Sequence, residues 1–147
     1  MLDQPIPTQL AKAIRIAAEA HEGQFDKAGQ PYVLHVLRVM FGCKSPEAQV
    51  AAALHDVVED TDWTLDDLRD EGFSAAVVEI VDALTRREGE DYFDFARRAA
   101  ATPLGREVKR ADLLDNTDIR RIANPTDKDW ERLRRYRTAL DMIDGVE

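Results

Sequence analysis

A chain of 147 residues with 44% hydrophobic content has the size of one domain, residues 1–147, and can bury somewhat under ~70% of its unfolded surface. The single Cys43 rules out an intramolecular disulfide. No apolar run approaches the ~20 residues of a membrane-spanning helix, and no signal-peptide pattern follows Met1, so the expectation is a soluble, cytoplasmic protein. A net charge of −9 argues against nucleic-acid binding through a general positive field, but leaves room for a small anionic ligand held by local cations such as Lys27, Arg38, Lys109 and Arg110.

The helices follow in chain order. Thr8 is a cap for a first helix to about Glu22, with Leu10, Ala13, Ile14, Ala17 and Ala18 on its apolar stripe and Gly23 as its stop. Pro31 opens a second, to about Gly42, with His35 in its first turns. Ser45-Pro46 starts a third, whose buried side is Val50, Ala53, Leu54, Val57 and Val58 and whose end carries His55, Asp56, Glu59 and Asp60. Thr64 and Asp67 form a capping-box pattern for a short fourth helix ending at Gly72, and Ser74 caps a fifth to about Leu84. Residues 90 to 101 and 103 to about 118 read as two more, with Thr102 as the cap between them, and a last helix follows Asp127. No segment alternates strictly between apolar and polar residues. The expected fold is therefore an all-α, compact single-domain bundle of about eight helices.

Residue types that ligate metals fall on three of these helices, as His35, the adjacent His55–Asp56 pair, and Asp112. On a continuous third helix, Glu59 lies one turn beyond His55 and Asp60 one turn beyond Asp56, so ligands and reactive carboxylates share a face. Asn116 stands in the same relation to Asp112. Two imidazoles and two carboxylates would leave a bound divalent cation acidic enough to activate water and neutralise phosphate oxygens, with Glu59 and Asp60 handling protons. Taken alone, a His-Asp dipeptide is most often a surface feature and an acidic helix end a solvated one. Acids at a helix C-terminus oppose its dipole, however, which favours a cation nearby. The basic residues around 106 to 110 and 132 to 137 are solvated faces by default.

Several separated motifs together resemble a known family. They are His21-Glu-Gly-Gln24, Gly29-Gln-Pro-Tyr32 followed by His35, Ala53-Leu-His-Asp-Val-Val-Glu-Asp-Thr61, Ala83-Leu-Thr85, and Val108-Lys-Arg-Ala-Asp112 with Asn116. In order and spacing, over about residues 10 to 120, they resemble the HD-domain hydrolases of the RelA/SpoT type. That family includes stand-alone small alarmone hydrolases of the metazoan SpoT-homologue kind, whose closing helix the segment from Trp130 to Tyr136 resembles. The resemblance implies one divalent metal, usually manganese, held by His35, His55, Asp56 and Asp112, with Glu59 and Asp60 as the catalytic pair. It further implies release of pyrophosphate from the 3′ position of guanosine tetra- or pentaphosphate. Asn116 would position the nucleotide, Lys27, Tyr32 and Lys109 would lie near the substrate, and His21 would serve packing.

Three positions depart from that pattern. Asp26-Lys27-Ala28 stands where the family commonly reads Arg-Lys-Ser, Val36 where proline usually follows the histidine, and Asp118 where a basic residue is common. The expectation is that metal-dependent hydrolysis is retained while base preference shifts, toward an adenine alarmone or another nucleotide polyphosphate. The alternatives are a phosphohydrolase releasing monophosphate from a nucleotide or dinucleotide cofactor, and a catalytically silent nucleotide-binding sensor.

Overall fold

The computed structural model describes residues 3–145. Nine α-helical segments and a 3₁₀ turn follow one another: α1 (Ile6–Ala20), α2 (Tyr32–Phe41), α3 (Pro46–Leu54), α4 (Val57–Asp60), α5 (Leu65–Asp70), α6 (Ala75–Ala83), α7 (Tyr92–Ala99), α8 (Pro103–Asn116), the turn Ile119–Arg121, and α9 (Asp127–Ile143). Among the described residues there is no strand, only an isolated bridge between Phe25 and Pro31, so the all-α expectation holds. No described helix is long and apolar enough to cross a membrane.

All eight expected helices are present, and the ninth segment arises because the third is interrupted at His55–Asp56. There the His55 amide bonds the Ala52 carbonyl, three residues back, and the His55 ring Nδ1 lies 2.6 Å from the same oxygen. Asp56 adopts φ −106°, ψ −1°, at the margin of the right-handed region rather than at regular helix values. A side chain bonding to the backbone of the preceding turn competes with the regular ladder, and the helix restarts as the single turn α4.

Helix α3 is the hub. Ala48, Val50, Ala51, Ala52, Ala53 and Leu54 are all fully buried, and α1, α2, α6 and α8 pack around it. From Val50 to Leu54 this helix is apolar on every side and has to sit inside the core, and its alanines let neighbouring backbones come close. α9 closes the other end against α7 and α8 through Ala96, Leu113, Ala139 and Leu140.

Local signals place several helix starts as expected. Thr64 and Asp67 cap one another reciprocally, Ser74 accepts from the Val77 amide, and Thr102 accepts from the Gly105 amide. α1 differs. It begins at Ile6 behind Pro5, with Pro7 in its first turn, and buries Gln9 and Ile16, whereas Ala18 is exposed. Gln9 is drawn inward because its amide donates to the Gln4 carbonyl and its oxygen accepts from the Ser74 amide.

Arg98 ties down the loop before α7. It donates to the carbonyls of Asp82 and Thr85 and forms a two-pronged pair with Glu90 at 2.8 and 2.9 Å. The Arg98 hydrogen bonds hold the Glu90 carboxyl down at about 2, below its usual 4.5. A depressed carboxyl pKa stabilises the fold above the unfolded value, and that contribution is lost as pH falls from about 4.5 toward 2. Glu90→Gln should therefore lower the thermal midpoint at pH 7 and flatten its dependence on pH between 5 and 2. An unchanged acid limb in the variant would contradict this tie.

Gly105 is a second tight point, because a Cβ there would run into the Ala99 carbonyl oxygen, a backbone atom with little room to yield. Gly105→Ala should destabilise the protein by about 1–3 kcal/mol, read from denaturant unfolding.

Candidate metal centre

His35 enters from α2, His55 and Asp56 from the break between α3 and α4, and Asp112 from α8. One ligand atom from each of His35, His55 and Asp56 can be chosen so that all three lie within 4.8 Å of one another. The His55 Nε2 atom is 3.0 Å from Asp56 Oδ2 and 3.5 Å from Asp112 Oδ1. His35 Nε2 is 3.7 and 3.1 Å from the same two oxygens. Both imidazoles are buried at 2% exposure.

The far side of each ring decides its tautomer. His35 Nδ1 lies 2.6 Å from the Asp115 carboxylate and His55 Nδ1 2.6 Å from the Ala52 carbonyl, and both oxygens can only accept. Each Nδ1 therefore carries a proton. In the neutral rings, both Nε2 lone pairs face carboxylate oxygens, and His55 Nε2 is buried without a hydrogen-bond partner. Four facing lone-pair atoms repel one another unless a cation lies between them. The donor set, two nitrogens and two oxygens, suits a first-row divalent ion. The protonated Nδ1 atoms and their acceptors are the outer support that ligating histidines ordinarily have.

Electrostatics point the same way. Although burial opposes charge on the imidazoles, the carboxylates of Asp56 and Asp112 raise His55 well above its ordinary value, and Asp112 with Asp115 raises His35. Burial likewise opposes ionisation of Asp112, yet Lys109 and the two histidines hold it well below the usual carboxylate range. The surroundings favour positive charge at Nε2.

Glu59 and Asp60 stand at the mouth of the centre on α4, exposed to solvent. Protein packed along their inner flank and the neighbouring Asp56 carboxylate raise both, with Glu59 pushed up to about 7. Their position is the expected one, one turn past the pair, although a helical break lies between.

Two hollows flank the centre and share Asn116 and Tyr136. The first, about 300 Å³, is bordered by the loop from Phe25 to Ala28, Tyr32, Arg121 and Arg132. The second, about 200 Å³, lies beside Glu59 and is bordered by Arg86, Lys109, Arg135 and Tyr92. Of the residues expected near a substrate, Lys27 is exposed on the first hollow. Tyr32 also lines it, but its hydroxyl donates to Asp56 Oδ2 at 2.6 Å. Asn116 donates to Asp112 Oδ1 at 3.2 Å. Lys109 is buried at 4% exposure, 3.2 Å from Asp112 Oδ2 and 4.6 Å above the centre of the Phe95 ring. Three of the four thus touch the carboxylates of the centre as well as a hollow.

Other cations fall elsewhere. Arg38 pairs with Asp115 and Arg110 with Asp144, and neither lines the two hollows. Conversely, Arg132 and Arg135, which look like a solvated face in the sequence, stand on the walls of the site together with Tyr136. Asp115 and Arg121 lie outside every motif singled out above. Asp115 had one legible signal, its place three residues after Asp112 on the same side of a helix. His21 is buried at 2%, bonded to Gln24 and packed 5.1 Å from the Tyr32 ring.

This fold and this cluster define an all-helical domain built around a His/Asp site fit for a divalent cation. The chain belongs to the HD-domain family, whose model matches residues 13–135. Among curated proteins it is 45% identical over 75 residues to a guanosine-3′,5′-bis(diphosphate) 3′-pyrophosphohydrolase of Haemophilus influenzae, covering 48% of this chain and 11% of that one. It is 32% identical over 146 residues to a probable GTP pyrophosphokinase of Mycobacterium leprae, covering 90% of this chain and 18% of that one. The chain thus spans less than a fifth of the length of these relatives. It also resembles the solved structure of a metazoan orthologue of SpoT that hydrolyses ppGpp, with a TM-score of 0.78 and 25% identity over 99% of this chain and 90% of that one.

If the four facing atoms hold one cation, adding a divalent metal at ~100 times its dissociation constant should stabilise the protein by about 2.7 kcal/mol. His55→Ala should abolish that thermal shift and reduce bound metal, measured by elemental analysis, from one per chain to none. A variant that keeps both would remove His55 from the centre.

Proposed function

We propose that this chain is a cytoplasmic, metal-dependent hydrolase that removes pyrophosphate from the 3′ position of a nucleotide alarmone of the (p)ppGpp or (p)ppApp class. The observation that carries the reading is the ring of lone pairs formed by His35, His55, Asp56 and Asp112, with the free carboxylates of Glu59 and Asp60 one turn away. Similarity to the ppGpp-hydrolysing SpoT orthologue over nearly the whole chain supports it.

Manganese is the proposed ion, with His35, His55, Asp56 and Asp112 holding it. When bound, it would supply Lewis acidity toward water and phosphate oxygens. The chain's own groups do the rest. Glu59, raised to about 7, can take a proton from the attacking water near neutral pH, and Asp60 beside it can return one to the leaving group. Lys109 balances Asp112 from within the core. Arg86 and Arg135 bring positive charge to the hollow beside Glu59, which suits phosphate oxygens despite the chain's net −9. Lys27, Tyr32 and Asn116 face the other hollow, which this reading assigns to the nucleoside.

The test is a panel of ppGpp, ppApp, NADPH and ordinary nucleoside triphosphates incubated with manganese, with released pyrophosphate and phosphate measured separately. Pyrophosphate should appear from the 3′-pyrophosphorylated members alone. Phosphate from NADPH or a triphosphate, with no pyrophosphate from the alarmones, would replace this reading with a monophosphate-releasing one. Glu59→Gln should keep its metal while turnover falls about 10²-fold or more.

A further inference from the structure

The hollow assigned to the nucleoside is bordered by two carboxylates, Asp118, which Arg120 pairs with at 2.8 Å, and Asp26. The Asp26 side chain is 4% exposed at that border, in a loop that the proposed function brings against a polyanion. One of its oxygens, Oδ1, is occupied by the amides of Ala28 and Gln30, both at 2.9 Å, which fold residues 26 to 30 into a tight turn completed by Gly29 at φ +78°. The other, Oδ2, lies 2.9 Å from one terminal nitrogen of Arg121, 95 residues away on the 3₁₀ turn. Against the effect of burial, the Gln30 amide and Arg121 hold this carboxyl below its ordinary range.

The second terminal nitrogen of Arg121 reaches α8. It donates to the Asp115 backbone carbonyl at 2.9 Å and stands 3.0 Å from Asp115 Oδ2, the oxygen that receives the His35 Nδ1 proton at 2.6 Å. Arg38 binds the same Asp115 carboxylate at 2.7 and 3.2 Å. Two guanidinium groups thus balance two carboxylates. Arg121 alone spans from the loop beside the nucleoside hollow to the support of His35. Its planar fork can hold two acceptors at once, which a point charge cannot do as well.

We propose that Arg121 is a positioning and specificity-determining residue: it cancels the Asp26 charge in the nucleoside hollow and locks the loop from residue 24 to 32 to the His35–Asp115 pair. The role rests on the hydrolase reading for its kinetic consequence, but its structural half does not.

Arg121→Gln strips the compensation and leaves Asp26 facing a polyanion. Its KM for ppGpp should rise about tenfold, with kcat changed less than about threefold. Asp26→Asn, which keeps an oxygen for the Ala28 and Gln30 amides, gives the reference KM against which the double variant is read. Adding Asp26→Asn to Arg121→Gln should return KM most of the way, a rescue that a merely structural arginine would not show. Arg121→Lys retains the charge but not the fork, so its KM should fall between those of wild type and Arg121→Gln while exchange at Ala28 and Gln30 stays faster than in wild type, a readout that survives if the glutamine variant folds poorly. Independently of turnover, amide hydrogen exchange at Ala28 and Gln30 in metal-free protein should be faster in Arg121→Gln than in wild type. A double variant worse than Arg121→Gln alone, or unaltered KM and exchange in Arg121→Gln, overturns the proposal. A wild-type protein that does not hydrolyse ppGpp would instead count against the hydrolase reading, and the exchange comparison would still decide whether Arg121 anchors the loop.

Discussion

Each of the two buried imidazoles has its Nδ1 proton already committed, His35 to a carboxylate and His55 to a main-chain carbonyl, and the rest of the site depends on that constraint. Fixing the proton on one nitrogen fixes a lone pair on the other. Because both rings are buried, neither can turn to water to relieve the contact with Asp56 and Asp112. The protein core therefore carries a concentration of electron pairs that favours a cation at one point. Folding has paid for that arrangement in advance, so a metal arriving there would find its ligands already oriented.

The charges around this point are arranged in pairs. Lys109 sits on Asp112, Arg38 on Asp115 and Arg121 on Asp26, each a carboxylate that would otherwise repel an anionic ligand. Among the described residues, two acids near the centre lack such a partner, Glu59 and Asp60, and they are the ones raised in pKa. A buried or half-buried carboxylate matched by a cation is a structural element. An unmatched one beside a His/Asp cluster is the kind of group that the proposed reaction needs for its protons. The net charge of −9 says little about this region, because the acids that produce it lie mostly elsewhere while Arg86, Arg132 and Arg135 border the two hollows.

What the sequence made legible was short-range. The pair His55–Asp56, the acids one turn later, and the caps Thr64, Ser74 and Thr102 are all written within a few residues, where helical periodicity and capping chemistry apply directly. The break in the third helix was not, because it depends on how one imidazole bonds the turn behind it. Ile16 replaces Ala18 on the buried side of α1 for a similar reason: the inward face is set by what Gln9 reaches at Ser74. Arg121 and Asp26 are 95 residues apart, and no pattern in either segment announces the other. Asp26 in particular reads in the sequence as a free anion where a base would bind, whereas in the fold both of its oxygens are engaged.

The interruption at His55–Asp56 also explains how the centre is anchored in the core without being part of a regular helix. The end of α3, Val50 to Leu54, is fully buried among α1, α2, α6 and α8, so its last residue, Leu54, is held by the core itself. The chain leaves the helix at the next residue, and the bond from His55 to Ala52 spends the imidazole proton on the backbone group that the irregular turn would leave less well satisfied. Asp56 then takes a conformation that a continuous helix would deny it, bringing its oxygen between the two rings, while α4 resumes in time to present Glu59 and Asp60 at the rim. One irregular step thus does two things: it turns His55 and Asp56 inward from the most buried helix of the fold, and it leaves the acids that follow open to solvent.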